Sequence, residues 1–150
     1  MTFKQKIHQH YTQQVQDKID VFRDMISALT EDSKNDAKGS AGDKHETALS
    51  MMHLEQEKLN YKLKEVLEQK AVLDKIDSSQ VHNKVIRLGS LVITNNMTLF
   101  ISVALAKITV DNQNVFAISP ISPIGIKLMG NKVGFEFEIN TVKYLIINIT

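Results

Sequence analysis

Apolar residues recur every three or four positions along the first half of the chain, which is the spacing of one face of an α-helix. The first stripe runs from Phe3 to Leu29, and in the second stripe apolar residues stand seven apart, at Met52, Leu59, Val66 and Leu73. Charged residues fill the positions between them, and no proline interrupts either stripe. Such narrow stripes suit two helices packed on each other. The pattern predicts an antiparallel coiled-coil hairpin.

The connection between the two predicted helices, Thr30–Gly42, reads TEDSKNDAKGSAG. All of its residues are small or polar, so it cannot contribute to a core. It contains two glycines, which favour irregular backbone. We therefore predict an exposed loop there, at an acidic tip of the hairpin near residues 31–46.

The second half of the chain changes to strand-like patterns rich in β-branched and aromatic residues, bounded by turn residues. A short helix fits between Pro123 and Met129, ended by Gly130. The patterns predict a small, mainly antiparallel sheet of about five strands, namely Leu91–Thr94, Thr98–Ala106, Val115–Ile118, Phe135–Ile139 and Val142–Ile149. The predicted fold class is α+β.

Charge is distributed unevenly between the two halves. Residues 1–77 hold twelve basic and fourteen acidic residues, and residues 78–150 hold six and three. We therefore place a domain boundary near Ser78, with a helical hairpin over 1–77 and a sheet domain over 78–150. The net charge of the whole chain is only +1. A balance this close to zero argues against independent binding to DNA or to an anionic membrane.

Several classes of protein are excluded by what the sequence lacks. The absence of cysteine excludes disulfide scaffolds, cysteine-ligated zinc and thiol catalysis. The first 30 residues contain no apolar signal region, and no stretch approaches the 18 consecutive apolar residues of a membrane span. We expect a cytoplasmic protein. A hairpin that satisfies its own seam gives no reason to dimerise, so we expect a monomer.

Asp43 and Glu46 stand three residues apart where the second helix begins. This is the spacing of a capping box, and acids suit the positive end of a helix dipole. The same two carboxylates could instead project from the tip and hold a hard cation such as Mg²⁺, which prefers oxygen ligands. Two carboxylates cannot complete an octahedral shell, so a partner would have to supply the other ligands. The two interpretations are compatible.

Three segments resemble the bacterial transcript cleavage factors (Gre factors) of RNA polymerase, over nearly the whole chain. The family's tip sequence Gly-Asp-x-x-Glu-Asn-Ala corresponds to residues 42–48, and Gly-x-x-Val corresponds to residues 89–92. The more specific segment, Ile-Ser-x-x-Ser-Pro-Ile, corresponds to residues 118–124 and is followed by Gly130 and Gly134. The resemblance implies a C-terminal domain of the FK506-binding-protein type after the coiled coil.

In that family the coiled coil enters the secondary channel of bacterial RNA polymerase. The resemblance implies that Asp43 and Glu46 are the catalytic carboxylates and help hold the second Mg²⁺ of the polymerase, so that backtracked RNA is cleaved at its 3′ end. It also implies that Ser119, Ser122, Pro123 and Ile124 form the polymerase-docking loop. The protein would be no enzyme by itself, and no cofactor would be bound outside the complex.

Three alternatives follow from the same residues. The family's Asn and Glu-Tyr near the tip are Thr47 and Leu49-Ser50 here. These departures allow a Gre-like regulator that occupies the channel without promoting cleavage. A prolyl isomerase is suggested only by the fold type of the second half, and its aromatic residues are expected to serve in the core. A generic coiled-coil adaptor would leave the Ser-Pro-Ile segment unexplained.

Overall fold

The computed structural model describes the backbone of residues 1–39 and 43–150, with their side chains except those of residues 33, 35–39 and 43–45. Two long helices come first, α1 (Phe3–Gly39) and α2 (Asp43–Asp74). The remaining elements are β1 (Leu91–Thr94), β2 (Thr98–Ile101), β3 (Leu105–Val110), β4 (Gln113–Ile118), α3 (Pro123–Leu128), β5 (Glu136–Ile139) and β6 (Val142–Ile149). The predicted α+β class, with two long helices ahead of a mostly antiparallel sheet and one short helix, is confirmed.

The chain divides into two compact units. Unit 1 joins Met1–Thr12 to Ala71–Thr150, and unit 2 is Gln13–Lys70. Unit 1 therefore contains all six strands together with the beginning of α1 and the end of α2. The division predicted near residue 78, into a helical hairpin and a sheet domain, stays a prediction.

The core of unit 2 is the seam between the two helices. Val15 and Ile19 of α1 and Leu59 and Val66 of α2 are all less than 8% exposed. Full burial of such side chains contributes about 1.5–3 kcal/mol each. The seam also contains a polar link between the helices, because Gln56 Nε2 donates to Thr30 Oγ1 at 3.0 Å. The apolar spacing of the sequence thus identifies the packed face of each helix.

The loop predicted for Thr30–Gly42 is wrong over most of its length, because α1 continues to Gly39. Residues 40–42 lie outside the described part of the chain. A helix needs no core to continue where its residues favour it, and this segment contains no proline and several good helix formers. An ion pair between Glu31 and Lys34 at 3.7 Å, one turn apart, adds modest local support.

The sheet has six strands rather than about five, in the order β3-β4-β2-β1-β6-β5. The run predicted as one strand over Thr98–Ala106 is two strands. Its first part, β2, pairs in parallel with β4, and its continuation, β3, pairs antiparallel with the outer side of β4. All other neighbouring strands are antiparallel.

The break between β2 and β3 falls at residues 102–104. Ser102 N donates to Ile118 O at 2.8 Å, and the Ser102 side chain is buried. The chain then turns to the sheet edge and returns through β4. The sequence gives only a weak signal of this break, because the residues on both sides of it are apolar and the single small residue Ser102 interrupts them.

Two tight turns connect neighbouring antiparallel strands. Asp111 and Asn112 link β3 to β4 with φ of 50° and 63°, and Asn140 and Thr141 link β5 to β6 with φ of 50° and 69°. Positive φ at both central residues is typical of the turns that join two antiparallel strands. Asp and Asn tolerate this conformation well, whereas the β-branched Thr141 does so only at a cost in strain.

Successive residues of β2 point to opposite faces of the sheet. On one face, Phe100 stacks on Tyr11 of α1 with ring centroids 6.3 Å apart. On the other face, a core forms around α3, and its buried members are Ile86, Val92, Leu99, Ile101, Ile118, Leu128, Phe137, Ile146 and Ile149. The sheet of unit 1 is therefore covered on both faces, which explains why all four residues of β2 are buried.

Candidate functional site

The two predicted catalytic acids lie at the beginning of α2. Asp43 is the first residue of that helix, and Glu46 is exposed one turn further on. Residues three apart on a helix are neighbours on its surface. The helix has 32 residues and is therefore about 48 Å long at 1.5 Å per residue. The side chain of Asp43 lies outside the described part of the structure, so the capping contact predicted for it stays a prediction.

The fit of this end of α2 to Mg²⁺ rests on the chemistry of its donors. Two carboxylates offer oxygen ligands of the kind that Mg²⁺ prefers, but they cannot complete an octahedral shell. Among the side chains that the structure describes, no group of three or more histidine or acidic residues could hold a metal ion. That Asp43 and Glu46 hold Mg²⁺ together with ligands from a partner stays a prediction.

The predicted docking residues form a loop that is held by its own hydrogen bonds. Ser122 is the N-cap of α3, since its Oγ accepts from Gly125 N at 3.1 Å. The same hydroxyl donates to Ser119 O at 2.7 Å, and Ser122 N donates to that carbonyl at 3.1 Å. Pro123 follows at the start of the helix, where its fixed φ is favourable. The structure thus brings Ser119, Ser122 and Pro123 together.

Two isoleucines around this loop point to solvent. Ile121 is 84% exposed and Ile126 is 67% exposed, whereas Ile124 is partly buried against the core of unit 1. Exposed isoleucines beside a rigid loop provide apolar contact area at little cost in conformational entropy. The sequence pattern did not single out Ile126, because nothing in the sequence shows which residues of so short a helix face outward.

Gly125 is the residue on which the loop closes, although no motif in the sequence singles it out. A Cβ at this position would lie 2.1 Å from Ser119 O and 2.9 Å from the carbonyl carbon and oxygen of Pro120. Both neighbours are backbone groups, so no side chain can move aside to make room. The only sequence signal is a glycine directly after the Ser-Pro-Ile segment.

Replacing Gly125 with alanine is expected to lower the free energy of unfolding by about 3 kcal/mol, because the added methyl group overlaps fixed backbone. Gly130→Ala is the matched control. No atom lies within 4 Å of its Cβ position, and its φ of +81° alone should cost about 1–2 kcal/mol. Urea unfolding followed by circular dichroism measures both. Equal losses in the two variants would contradict the close approach at Ser119.

The aromatic residues that would have to line an isomerase pocket are mostly used in packing. Phe100 is fully buried against Tyr11. Phe137 stacks on Phe135 and Tyr144, with centroid distances of 6.3 and 5.2 Å. Phe116 is more accessible than these rings, at 38% exposed. This arrangement gives the isomerase alternative no support.

Comparisons with known proteins add little. No protein-family model matches the chain, and no curated protein matches it. Among solved structures, the chain is similar to one described as the structure of the transcription factor Gfh1, with 16% sequence identity, a TM-score of 0.35 and coverage of 92% of each chain. Similarity at that level does not establish a family. None of the helices that the structure describes is long and apolar enough to cross a membrane.

Proposed function

We propose that this protein is a Gre-type elongation factor, which binds bacterial RNA polymerase through the secondary channel and stimulates cleavage of backtracked RNA. The observation that carries the proposal is the position of Asp43 and Glu46, within one turn at the beginning of a helix about 48 Å long. A paired helix of this length can bring carboxylates to a site that is deep inside a partner. The resemblance of residues 42–48 and 118–124 to the family motifs supports the same function.

The protein's own contribution to cleavage would be two carboxylates. Asp43 and Glu46 would supply oxygen ligands to a Mg²⁺ ion that the polymerase holds in part, and would orient a water molecule by hydrogen bonding. Bound Mg²⁺ stabilises the charge that develops during phosphodiester hydrolysis. The polymerase provides the remaining ligands and the RNA, so the protein acts as a cofactor of the polymerase and is not an enzyme by itself.

Docking would use the loop around Ser119, Ser122, Pro123 and Ile124. Its hydrogen bonds fix the backbone before binding, so little conformational entropy is lost in the complex. Ile121 and Ile126 would add apolar contact area next to it. Ile124, which is partly buried, would anchor the loop to the core of unit 1.

A channel-occupying regulator without cleavage activity is the second candidate. The observation that favours it is the set of exposed apolar and short polar side chains on α2 directly after Glu46. Met51 is 66% exposed and Leu54 is 57% exposed, and Thr47 and Ser50 occupy positions where the family has more strongly hydrogen-bonding side chains. The side chains of Thr and Ser are short, so their hydroxyl groups reach only nearby hydrogen-bond partners. Such a surface can fill a channel without helping to orient a water molecule.

The experiment that separates the two candidates is RNA cleavage in a stalled, backtracked elongation complex made with the cognate polymerase. The protein is added with Mg²⁺, and the RNA is followed on a sequencing gel while binding is measured by co-migration with the complex. We expect the RNA to be shortened from its 3′ end. Intact RNA in complexes that hold the protein would instead identify the channel-occupying regulator, and failure to bind would refute both candidates.

A further inference from the structure

Unit 1 contains a pocket of about 420 Å³ where the turn between β1 and β2 meets the beginning of β4, which we call the Phe116 pocket. A volume of this size accommodates a small molecule. None of the seven lining side chains that the structure describes carries a charge. An aromatic ring and a thioether lie beside three amides there, and these groups belong to Phe116, Met97, Asn96, Gln113 and Asn114. The pocket therefore suits a neutral ligand.

The aromatic ring of this pocket is accessible although it belongs to a strand of the sheet. Phe116 is opposite Leu99 in the parallel pairing of β2 with β4. Leu99 is fully buried in the core around α3, whereas Phe116 is 38% exposed. An accessible aromatic ring is a stacking surface for a planar base, because every base has a π-face.

The three amides offer both kinds of hydrogen-bonding group. Asn114 Oδ1 accepts from Thr109 Oγ1 at 2.9 Å, which leaves the amino group of Asn114 as a donor. Asn96 Nδ2 donates to Lys143 O at 3.4 Å, which leaves the carbonyl oxygen of Asn96 as an acceptor. Gln113 is exposed, and its amide has a donor and an acceptor side by side. A planar ligand with donors and acceptors along its edge matches this set.

The turn that carries Asn96 is fixed by its own hydrogen bonds. Thr94 Oγ1 accepts from Asn96 N at 3.2 Å and from Met97 N at 3.0 Å. The same hydroxyl donates to Met97 O at 2.9 Å, and so does the backbone N–H of Thr94 at 2.9 Å. Because the turn is already ordered, a ligand that contacts it loses little affinity to conformational entropy.

We propose that the Phe116 pocket binds the adenine base of a nucleoside. The base would stack on Phe116, and Gln113 would pair with its edge, because a glutamine amide matches the adjacent donor and acceptor of adenine. Asn96 would accept from the second proton of the adenine amino group, and Asn114 would donate to a ring nitrogen. The proposal is independent of any interaction with RNA polymerase.

Adenosine is the probe, and it is titrated into the full chain while the amide resonances are followed by NMR. We expect residues 94–98 and 113–116 to shift in a saturable manner, with a Kd of about 1 mM or below. Absence of saturable shifts in these two segments would overturn the proposal.

Ribose and inosine are the ligand controls. Ribose lacks the base and should not bind at the same concentration. Inosine keeps the purine ring but has a carbonyl oxygen in place of the amino group, so it should bind at least about fivefold more weakly than adenosine. Ribose binding as tight as that of adenosine would identify a sugar site, and equal affinity for adenosine and inosine would show that the amides do not recognise the base. Either result would overturn the proposal.

Two pairs of variants locate the site. Phe116→Leu keeps an apolar side chain but removes the stacking ring, so it should weaken adenosine binding at least about tenfold. Tyr61→Leu removes a ring that is 66% exposed on α2, and should leave adenosine binding unchanged. Equal adenosine affinity in these two folded variants would show that the base does not stack on Phe116, and would overturn the proposal.

The second pair keeps the test valid if Phe116→Leu does not fold, because it changes only exposed side chains. Gln113→Glu keeps the size of the side chain but removes its donor, and should weaken adenosine binding at least about fivefold. Asn148→Asp introduces the same charge at an exposed position of β6 and should leave adenosine binding unchanged. Circular dichroism verifies that both variants are folded. Equal adenosine affinity in the two would show that the base binds elsewhere, and would overturn the assignment of the pocket.

Discussion

Replacing Asp43 with asparagine and Glu46 with glutamine is expected to lower polymerase-dependent RNA cleavage at least about 100-fold, because both negative ligands for the shared Mg²⁺ are lost. Polymerase binding should persist, because the docking loop around Ser122 is unchanged. The side chains keep their size, so their packing is unaffected. The rate of RNA shortening in the backtracked complex, measured at saturating protein, gives the result directly.

The matched control is Glu55→Gln with Glu57→Gln. These two acids are also exposed on α2, and their neutralisation changes the net charge by the same amount. It should leave cleavage within about twofold of the wild type, because surface charges away from a site have little effect on it. Loss of cleavage in both double variants would mean that general charge is responsible. Retained cleavage in the Asp43/Glu46 variant would refute the proposed carboxylate role.

Helix stability provides a separate check on the capping interpretation. Acids in the first turn of a helix interact favourably with its dipole, by about 0.3–1 kcal/mol each. If Asp43 and Glu46 serve only as caps, their neutralisation lowers helicity at the beginning of α2 and leaves cleavage intact. If they also serve as metal ligands, cleavage is lost in addition.

Local patterns in the sequence predicted most of the fold. The seven-residue spacing from Met52 to Leu73 identified the buried face of α2, and the strands Leu91–Thr94 and Val142–Ile149 have the bounds that their composition predicts. In these segments, local propensity and burial point to the same structure. The continuation of α1 to Gly39 was missed because polar residues without proline are compatible with either a loop or a helix.

Features that depend on distant parts of the chain could not be predicted. The parallel pairing of β2 with β4 joins residues that are 17 positions apart, such as Thr98 and Val115, and no local pattern specifies it. The burial of Lys4 could not be predicted either, because its hydrogen-bond acceptors, Gln80 O and Thr150 O, are 76 and 146 positions away along the chain. For the candidate site, the motif identified Ser119 and Ser122, but only the backbone geometry shows why Gly125 follows them.

Replacing Tyr11 with alanine is expected to lower the free energy of unfolding by about 3–5 kcal/mol, because it empties the largest fully buried side-chain site. The ring stacks on Phe100 at an interplanar angle of 10°. Its hydroxyl lies 3.1 Å from Ala106 O and 3.2 Å from Val115 O, and can donate to either carbonyl. Burial raises the pKa of Tyr11 to about 12, which keeps that proton in place at neutral pH.

Two further variants divide this loss into its parts. Tyr11→Phe keeps the ring and removes the donor, so it should cost about 1–2 kcal/mol by removing the hydrogen bond to Ala106 O or Val115 O. Tyr61→Ala, at a tyrosine that is 66% exposed on α2, should change stability by less than about 0.5 kcal/mol. Urea unfolding of the three variants measures the series. If Tyr11→Ala costs no more than Tyr61→Ala, α1 does not hold the sheet of unit 1 through this ring, and the stability of that unit must come from the core around α3 alone.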